Sequence, residues 1–206
     1  MKYIKYLLIA VFIFILGYNS VEIKPLDEVK KAEAGFDAAA FARNFLDETL
    51  PPALDQATPL LELVEQIKQD KEKAFEEFSH SVSIGNIRHF LVKGTGLITA
   101  VNEDDLQLLL QDDNRSLSIT LATEFIYGSS IRDAAGLFDI KEFTNNTDMN
   151  NVSAEINKII REEVVKPFKR QVQIGDTVAF MGALELNQKF PQIDHPEVLP
   201  IVLEKI

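Results

Sequence analysis

HFLVKGTGLITAV, residues 89–101, is the stretch that decides the fold of this chain. Its apolar residues recur with the period of two that is typical of a β-strand with one buried face. Gly94 and Gly96 lie in the strand interior, where glycine commonly marks a bulge or a sharp bend. The stretch therefore predicts a long, bent strand of the kind that turns a corner in a small barrel.

Four further strands and one helix follow this stretch. The predicted strands are residues 106–111, 117–127, 178–184 and 199–206, and the predicted helix covers residues 150–166, with Pro167 ending it. Three antiparallel strands, a helix and two more strands are typical of the five-stranded Greek-key barrel called the OB-fold. We expect an α+β protein, mostly β, with this barrel over residues 88–206. The glycines expected to shape it are Gly94, Gly96, Gly175 and Gly182.

Residues 36–80 have helical periodicity instead. Asp37 is a natural helix N-cap, and Pro51-Pro52 is expected to end the first helix. Thr58-Pro59 supplies a cap and a first-turn proline for a second helix that runs to Ser79, with a break near Asp70. Because two such helices bury too little surface to be stable alone, we expect the pair to pack on the barrel.

The N-terminus predicts export. Lys2 and Lys5 precede an uncharged apolar run at residues 6–17, the pattern of a targeting signal. The run is short for a relaxed membrane span of about 20 residues, yet its neighbours extend it, and no clear cleavage site follows. We interpret residues 1–20 as a retained membrane anchor, with a cleaved signal as the alternative. Residues 21–35 are polar, so we interpret them as a tether.

Composition excludes several classes of protein. With 21 basic and 32 acidic side chains, the net charge of −11 opposes nucleic-acid binding, which depends on neutralising phosphates. The absence of cysteine excludes disulfides, thiolate metal sites and thiol nucleophiles. The three histidines, His80, His89 and His195, lack the spacing of metal-binding motifs. No catalytic motif is present either, so we expect no metal, no cofactor and no enzymatic activity.

Several segments resemble one family. The segments are VKGTG at 92–96, GSSIRDAAG at 128–136, Phe138 and Phe143 with Asn145, VSAEIN at 152–157, and GDTVAFMGA at 175–183. Together they resemble the predicted periplasmic lipoproteins of the DUF2291 family, over residues 36–206. The resemblance implies an envelope accessory role, since members are often encoded beside sugar-uptake ABC transporters. LGYNS at 16–20 stands where a lipoprotein would have its lipid-bearing cysteine, so a peptide anchor is favoured here.

Arg132-Asp133 is the charged pair that stands out. Gly128 and Gly136 bracket it, and Lys93 is included with them as a candidate for a ligand site or a structural clamp. The pair is expected to leave a strand and to present a guanidinium fork to a carboxylate, phosphate or sugar hydroxyl. In the alternative, which we favour, Asp133 caps a turn while Arg132 pairs with it or with loop carbonyls.

Two functions fit these features. The first is a non-catalytic envelope protein, anchored by its N-terminus, that docks on a membrane partner such as a sugar-uptake transporter. The second is an OB-fold module that binds a saccharide or another small ligand, with residues 128–147 as a rim. The chain has no tryptophan and only four tyrosines, so flat platforms for sugar rings are sparse, which favours docking.

Overall fold

Seven strands and seven α-helical segments make up the part of the chain that the structure describes. The computed structural model describes residue 6 and residues 36–82, 85–143 and 145–206. The predicted anchor, apart from Tyr6, and the predicted tether lie outside this part. The helices are α1 (Ala38–Asn44), α2 (Pro51–Leu54), α3 (Leu60–Gln69), α4 (Lys71–Phe78), α5 (Ser130–Asp133), α6 (Asn146–Ile159) and α7 (Lys166–Lys169). The strands are β1 (Thr58–Pro59), β2 (Ser79–His80), β3 (Ile87–Val101), β4 (Asp105–Gln111), β5 (Ser116–Ala122), β6 (Thr177–Asn187) and β7 (Glu197–Lys205).

The five long strands close into a barrel. β3 pairs antiparallel with both β4 and β6, β4 pairs with β5, and β7 pairs antiparallel with β6. β5 and β7 are parallel and close the ring. This order, with α6 between the third and fourth long strands, is the Greek-key arrangement predicted from the sequence. The sheet has seven strands rather than five, because two strands of two residues each are added to β3.

The two added strands come from the region predicted to be wholly helical. Thr58 pairs with Val92 in a parallel β1–β3 contact, and Ser79 pairs with Phe90 in an antiparallel β2–β3 contact. The prediction that Thr58-Pro59 opens a helix is therefore wrong, since α3 begins at Leu60. β3 is longer than its partner β4, so part of its edge is free to accept these short strands.

The glycines of β3 allow close packing rather than a bulge. Pairing with β6 runs without interruption past Gly94 and Gly96, and the register shift against β4 lies between Ile98 and Ala100. A Cβ at Gly94 would lie 2.8 Å from the Phe180 ring, and one at Gly96 would lie 2.8 Å from Leu110 Cδ1. Of the two alternatives predicted for these glycines, a bulge or a sharp bend, the bulge is wrong, because the pairing is continuous there and the missing side chains make room for the barrel core.

The two prolines predicted to end helices have different outcomes. The first helical run continues from α1 through a π-helical segment at Phe45–Thr49 and ends there, before Pro51, as predicted, and the short helix α2 then begins at Pro51. Pro167 lies in α7, which continues directly from a π-helical segment at Ile160–Val165. The predicted helix end at Pro167 is wrong, because this proline falls where the π-helical segment gives way to α7, and proline is tolerated in a first turn.

Strand β5 ends earlier than predicted. It stops at Ala122, and the N–H groups of Thr123 and Glu124 both donate to the Asp104 carbonyl, at 2.9 and 3.2 Å. Phe125 and Tyr127 therefore lie in a loop, although their alternation with Glu124 continues the strand pattern. This loop supplies part of the site described below.

The helices and the barrel share one apolar core. Phe75 of α4 meets Phe90 of β3 edge to face, with ring centroids 5.0 Å apart and an interplanar angle of 87°. The buried set includes Leu63, Val64, Ile67, Phe75, Phe90, Leu108, Ile119, Phe180 and Val198. Among the residues that the structure describes, no helix has the length and apolar character needed to cross a membrane.

Candidate functional site

Arg132 and Asp133 form a buried ion pair. They lie in the short helix α5 rather than leaving a strand, and their exposed fractions are only 5% and 3%. Arg132 Nε donates to Asp133 Oδ1 at 2.6 Å, and Nη2 donates to Oδ2 at 3.0 Å. Two parallel charge-assisted hydrogen bonds fix both planar groups, and we call this pair the Arg–Asp clamp.

The remaining guanidinium surface also faces the protein. Arg132 Nη1 donates to the Met149 carbonyl at 3.2 Å and to Ser153 Oγ at 3.0 Å, both on α6. The Phe138 ring covers the guanidinium at 4.4 Å from Cζ to the ring centroid. The clamp thus ties α5 to α6, and its donors face protein atoms rather than solvent.

His89 lies next to the clamp, near the start of β3, where it pairs with Glu185 of β6. Its Nε2 is 3.8 Å from Asp133 Oδ2, and its Nδ1 is 3.8 Å from Glu185 Oε2. The side chain is 5% exposed, and Nδ1 is buried without a hydrogen-bond partner among the described residues. Burial lowers the pKa of His89, and this outweighs the attraction of the two carboxylates. The imidazole is therefore neutral at pH 7.

An open cavity lies on the other side of Glu185. Its volume is about 460 Å³, and we call it the aromatic cavity. It is lined by Phe125, Tyr127, Ser130, Glu185, Gln192, His195, Pro196, Glu197 and Leu199. Two connections meet here: the loop after β5, which leads into α5, and the β6–β7 loop. In folds of this kind, loops around the barrel mouth commonly form ligand sites.

Two aromatic side chains stand open to solvent at this cavity. Phe125 is 56% exposed and Tyr127 is 69% exposed, and their rings lie edge to face with centroids 6.3 Å apart. Two side-chain hydrogen bonds fix the backbone of the loop that carries them. Arg161 Nη1 donates to the Ile126 carbonyl at 3.1 Å, and Asn157 Nδ2 donates to the Gly128 carbonyl at 2.9 Å. These hydrogen bonds fix the backbone on both sides of Tyr127 before any ligand binds.

Glu185 connects the cavity to the buried groups. It is half-exposed, accepts a hydrogen bond from Ser130 Oγ at 2.7 Å, and sits opposite His89 in the β3–β6 register. The sequence analysis missed Glu185, Phe125, Tyr127 and His195 as a group. No sequence pattern indicated this group, because Phe125 and Tyr127 continue the alternation that is typical of the buried face of a strand, whereas the structure exposes both.

The other predicted candidates are placed apart from the cavity. Gly136 has φ +67°, and a Cβ there would lie 2.4 Å from His80 Nδ1, so β2 packs directly on this turn. Gly128 has φ +83° with open space beside it. Lys93 donates through Nζ to the Asp55 carbonyl at 3.2 Å, so it stabilises the segment after α2.

The two remaining barrel glycines are Gly175, which lies in a turn, and Gly182, which lies at a close contact between strands. The Gly175 N–H donates to the Ile98 carbonyl at 2.9 Å. A Cβ at Gly182 would lie 2.6 Å from the Leu199 carbonyl oxygen, where the β6–β7 register shifts opposite Pro200. Pro200 lies inside β7, not at its predicted start, and the irregular pairing accommodates it.

The histidines and carboxylates of the described residues do not converge on a metal site. Over residues 36–82, 85–143 and 145–206, no group of three or more such side chains is arranged to hold a metal ion. The arrangement presents instead an apolar aromatic rim with a few convergent polar groups, which is the usual composition of a small-molecule site.

These features define an OB-fold protein with an N-terminal helical addition and a cavity at the barrel mouth. An OB-fold protein from Thermotoga maritima is similar, with a TM-score of 0.74 and 24% sequence identity, covering 84% of this chain and 99% of that one. At this identity the similarity shows the fold alone. No curated protein matches the chain significantly.

The profile of DUF2291, a family described as predicted periplasmic lipoproteins, matches residues 11–204. The chain belongs to this family. Membership assigns the protein to the periplasmic side of the cell envelope and implies association with the membrane. The predicted resemblance is thereby confirmed.

Proposed function

We propose that this protein is a non-catalytic binding module of the cell envelope that holds a small polar ligand, a saccharide, in the aromatic cavity. The supporting observation is the exposed ring pair Phe125 and Tyr127 beside a cavity of about 460 Å³ that also contains carboxylate, amide and imidazole groups. Aromatic rings suit the apolar faces of sugars, and the polar groups suit their hydroxyls. This geometry favours the ligand-binding function over docking as the primary role.

A non-catalytic role is supported by how the polar groups are used. The Ser130 hydroxyl donates to Glu185 rather than to a histidine, so it lacks the activating base that a serine nucleophile requires. Asp133 is held by both Nε and Nη2 of Arg132 and is buried, which suits a structural anchor more than an acid or base.

The sugar-transport association extends this proposal. Resemblance to the family implies members encoded beside sugar-uptake ABC transporters, and a saccharide site on an anchored module would place a ligand next to such a transporter. The retained N-terminal anchor at residues 1–20 belongs to the same proposal. Cross-linking of the full chain in its native membrane, read out by mass spectrometry, tests it: a transporter subunit as the dominant adduct is expected.

A thermal melt of the full chain with a panel of mono- and oligosaccharides tests the binding function. A ligand present at about 100 times its Kd adds about 2.7 kcal/mol to the free energy of unfolding. Tyr127→Ala should abolish the stabilisation, because the ring forms one wall of the cavity. Phe190→Ala, at another exposed aromatic residue outside the cavity, should retain it. A stabilisation that survives Tyr127→Ala, or a panel without any effect, would overturn the proposal.

A further inference from the structure

The charges around the aromatic cavity are unbalanced. Glu185 and Glu197 both line it, and neither lysine nor arginine is among its lining residues. His195 is the single basic side chain in that set, and it is exposed. Two carboxylates without a permanent cation repel phosphate, sulfate and carboxylate ligands and attract positive ones.

Glu185 also lacks a counter-charge on the side that faces the protein interior. His89 is the only basic side chain within 4.0 Å of its carboxylate among the described residues. Burial lowers the pKa of His89, so this neighbour is neutral at pH 7. The next cation inward, Arg132, is held by Asp133 through two hydrogen bonds. The negative charge of Glu185 is therefore available to a ligand.

A buried atom without a hydrogen-bond partner among the described residues lies next to Glu185. His89 Nδ1 faces Glu185 Oε2 at 3.8 Å, beyond hydrogen-bond distance, although the side chain is only 5% exposed. Buried polar atoms in folded proteins nearly always have a partner. Because His89 Nδ1 is too far away to donate to Glu185, Ser130 is the one side chain among the described residues that donates to this carboxylate, which keeps the capacity to accept from a ligand in the cavity.

The aromatic rim suits the same kind of ligand. Phe125 and Tyr127 both line the cavity and are exposed, with their rings edge to face to each other. Ring faces carry partial negative charge and attract ammonium groups within about 6 Å of the centroid. The rings and the carboxylates thus favour the same charge.

We propose that the ligand of the aromatic cavity carries a protonated primary amine, which Glu185 binds as an ammonium group beside the Phe125 and Tyr127 rings. This inference rests on the proposed binding function and names its ligand class. An amino sugar and a small aliphatic diamine share the required chemistry. The amino sugar also offers hydroxyls to Gln192 and Ser130, so it is the occupant we expect.

Calorimetric titration of the full chain with matched ligands tests this inference. Glucosamine, glucose and N-acetylglucosamine differ only at the 2-substituent, and putrescine represents the diamine class. Glucosamine should bind at least about tenfold more tightly than glucose or N-acetylglucosamine, the size expected for one charge-assisted contact. Equal affinities for the three sugars would refute the ammonium site and leave the saccharide function standing.

Variants separate the contribution of the carboxylate. Glu185→Gln keeps an acceptor for Ser130 and should bring the affinity for glucosamine down to that for glucose. Glu197→Gln serves as a second cavity variant, with a smaller loss expected, should Glu185→Gln fail to fold by circular dichroism. Glu204→Gln, on an exposed part of β7 outside the cavity, should change nothing.

The remaining outcomes are also decisive. A glucosamine preference that survives both cavity variants would overturn the assignment to this site. Binding of putrescine without any sugar would support the ammonium site and reject the saccharide function. No binding by any of the four compounds would reject both.

Discussion

Arg132 carries a full positive charge inside the protein, and the Asp133 carboxylate is what compensates it. Arg132→Ala would leave Asp133 buried without a counter-charge. We expect this change to lower the free energy of unfolding by about 3 kcal/mol in a urea titration. The matched control is Arg115→Ala, which removes an arginine paired with Asp112 at the surface and should leave the midpoint unchanged. Equal stability of the two variants would contradict a structural clamp.

Gly136 combines a left-handed backbone with a close neighbour. Its φ is +67°, and an added Cβ would meet the His80 ring. Gly128 has φ +83° with open space, so it isolates the backbone effect. We expect Gly128→Ala to cost about 1–2 kcal/mol, because an L-residue is strained there. Gly136→Ala should cost more, since His80 must also move, and thermal melts of both variants measure the difference.

His89 should make stability depend on pH. Because burial lowers its folded-state pKa below the unfolded value of about 6.5, the unfolded chain takes up a proton first as the pH falls. Stability is therefore lost as the pH falls from about 7 through 6.5 toward the folded pKa. Arg132, Asp133 and Glu185 face the ring, and the attraction of the two carboxylates does not offset burial.

Replacing His89 tests this dependence. His89→Gln should flatten the change of urea midpoint between about pH 5.5 and 7 relative to the parent protein. His195→Gln, at an exposed histidine of the cavity, provides the control and should retain the parental slope. A parental slope in His89→Gln would show that another group governs stability in this range.

At the scale of elements, local signals located the helices but not all of their boundaries. Asp70, predicted as a break, accepts from the Lys73 N–H at 3.1 Å and caps α4. The first helical run ends before Pro51 as expected, whereas α6 begins at Asn146 rather than at residue 150, and the helix continues through Pro167. Proline destabilises a helix interior but is tolerated in the first turn of a helix. A proline in the sequence therefore does not show by itself whether a helix ends or begins there.

The Asp70 cap can be tested directly. Asp70→Ala should lower the free energy of unfolding by about 1 kcal/mol, because the Lys73 N–H loses its acceptor. Asp70→Asn keeps a side-chain oxygen and should retain most of the stability. The chemical denaturation midpoints of the two variants give the comparison, and indistinguishable midpoints would argue against the cap.

At the scale of the whole molecule, the helices and the barrel should unfold together. Phe75 on α4 packs against Phe90 on β3 within one core, so removing its ring opens a cavity between the two parts. Phe75→Ala should lower the free energy of unfolding by about 3–5 kcal/mol while keeping a single transition. Circular dichroism at far- and near-ultraviolet wavelengths should give coincident curves.

An exposed aromatic residue supplies the control for this change. Phe190→Ala should leave the transition in place, because Phe190 is open to solvent. Two separate transitions in the parent protein would show that the helices fold independently of the barrel.

By itself, the sequence determined the order of the long strands, the helix between the third and fourth, and the family. Alternation along residues 89–101 and the turn residues that follow are local signals, and local periodicity is what a sequence displays directly. Arg132 and Asp133 were also identified, because adjacent opposite charges between two glycines are visible without a structure.

Only the tertiary structure decided the site. His89 meets Glu185 because β3 and β6 pair in one register, and residues 125–130 meet residues 192–199 because the barrel brings two distant loops to one end. Burial and neighbouring charge depend on these long-range contacts, which no local pattern encodes. The same contacts make His89 neutral, leave Glu185 half-exposed at the cavity and hold Arg132 in the internal pairing with Asp133 that was favoured from the sequence.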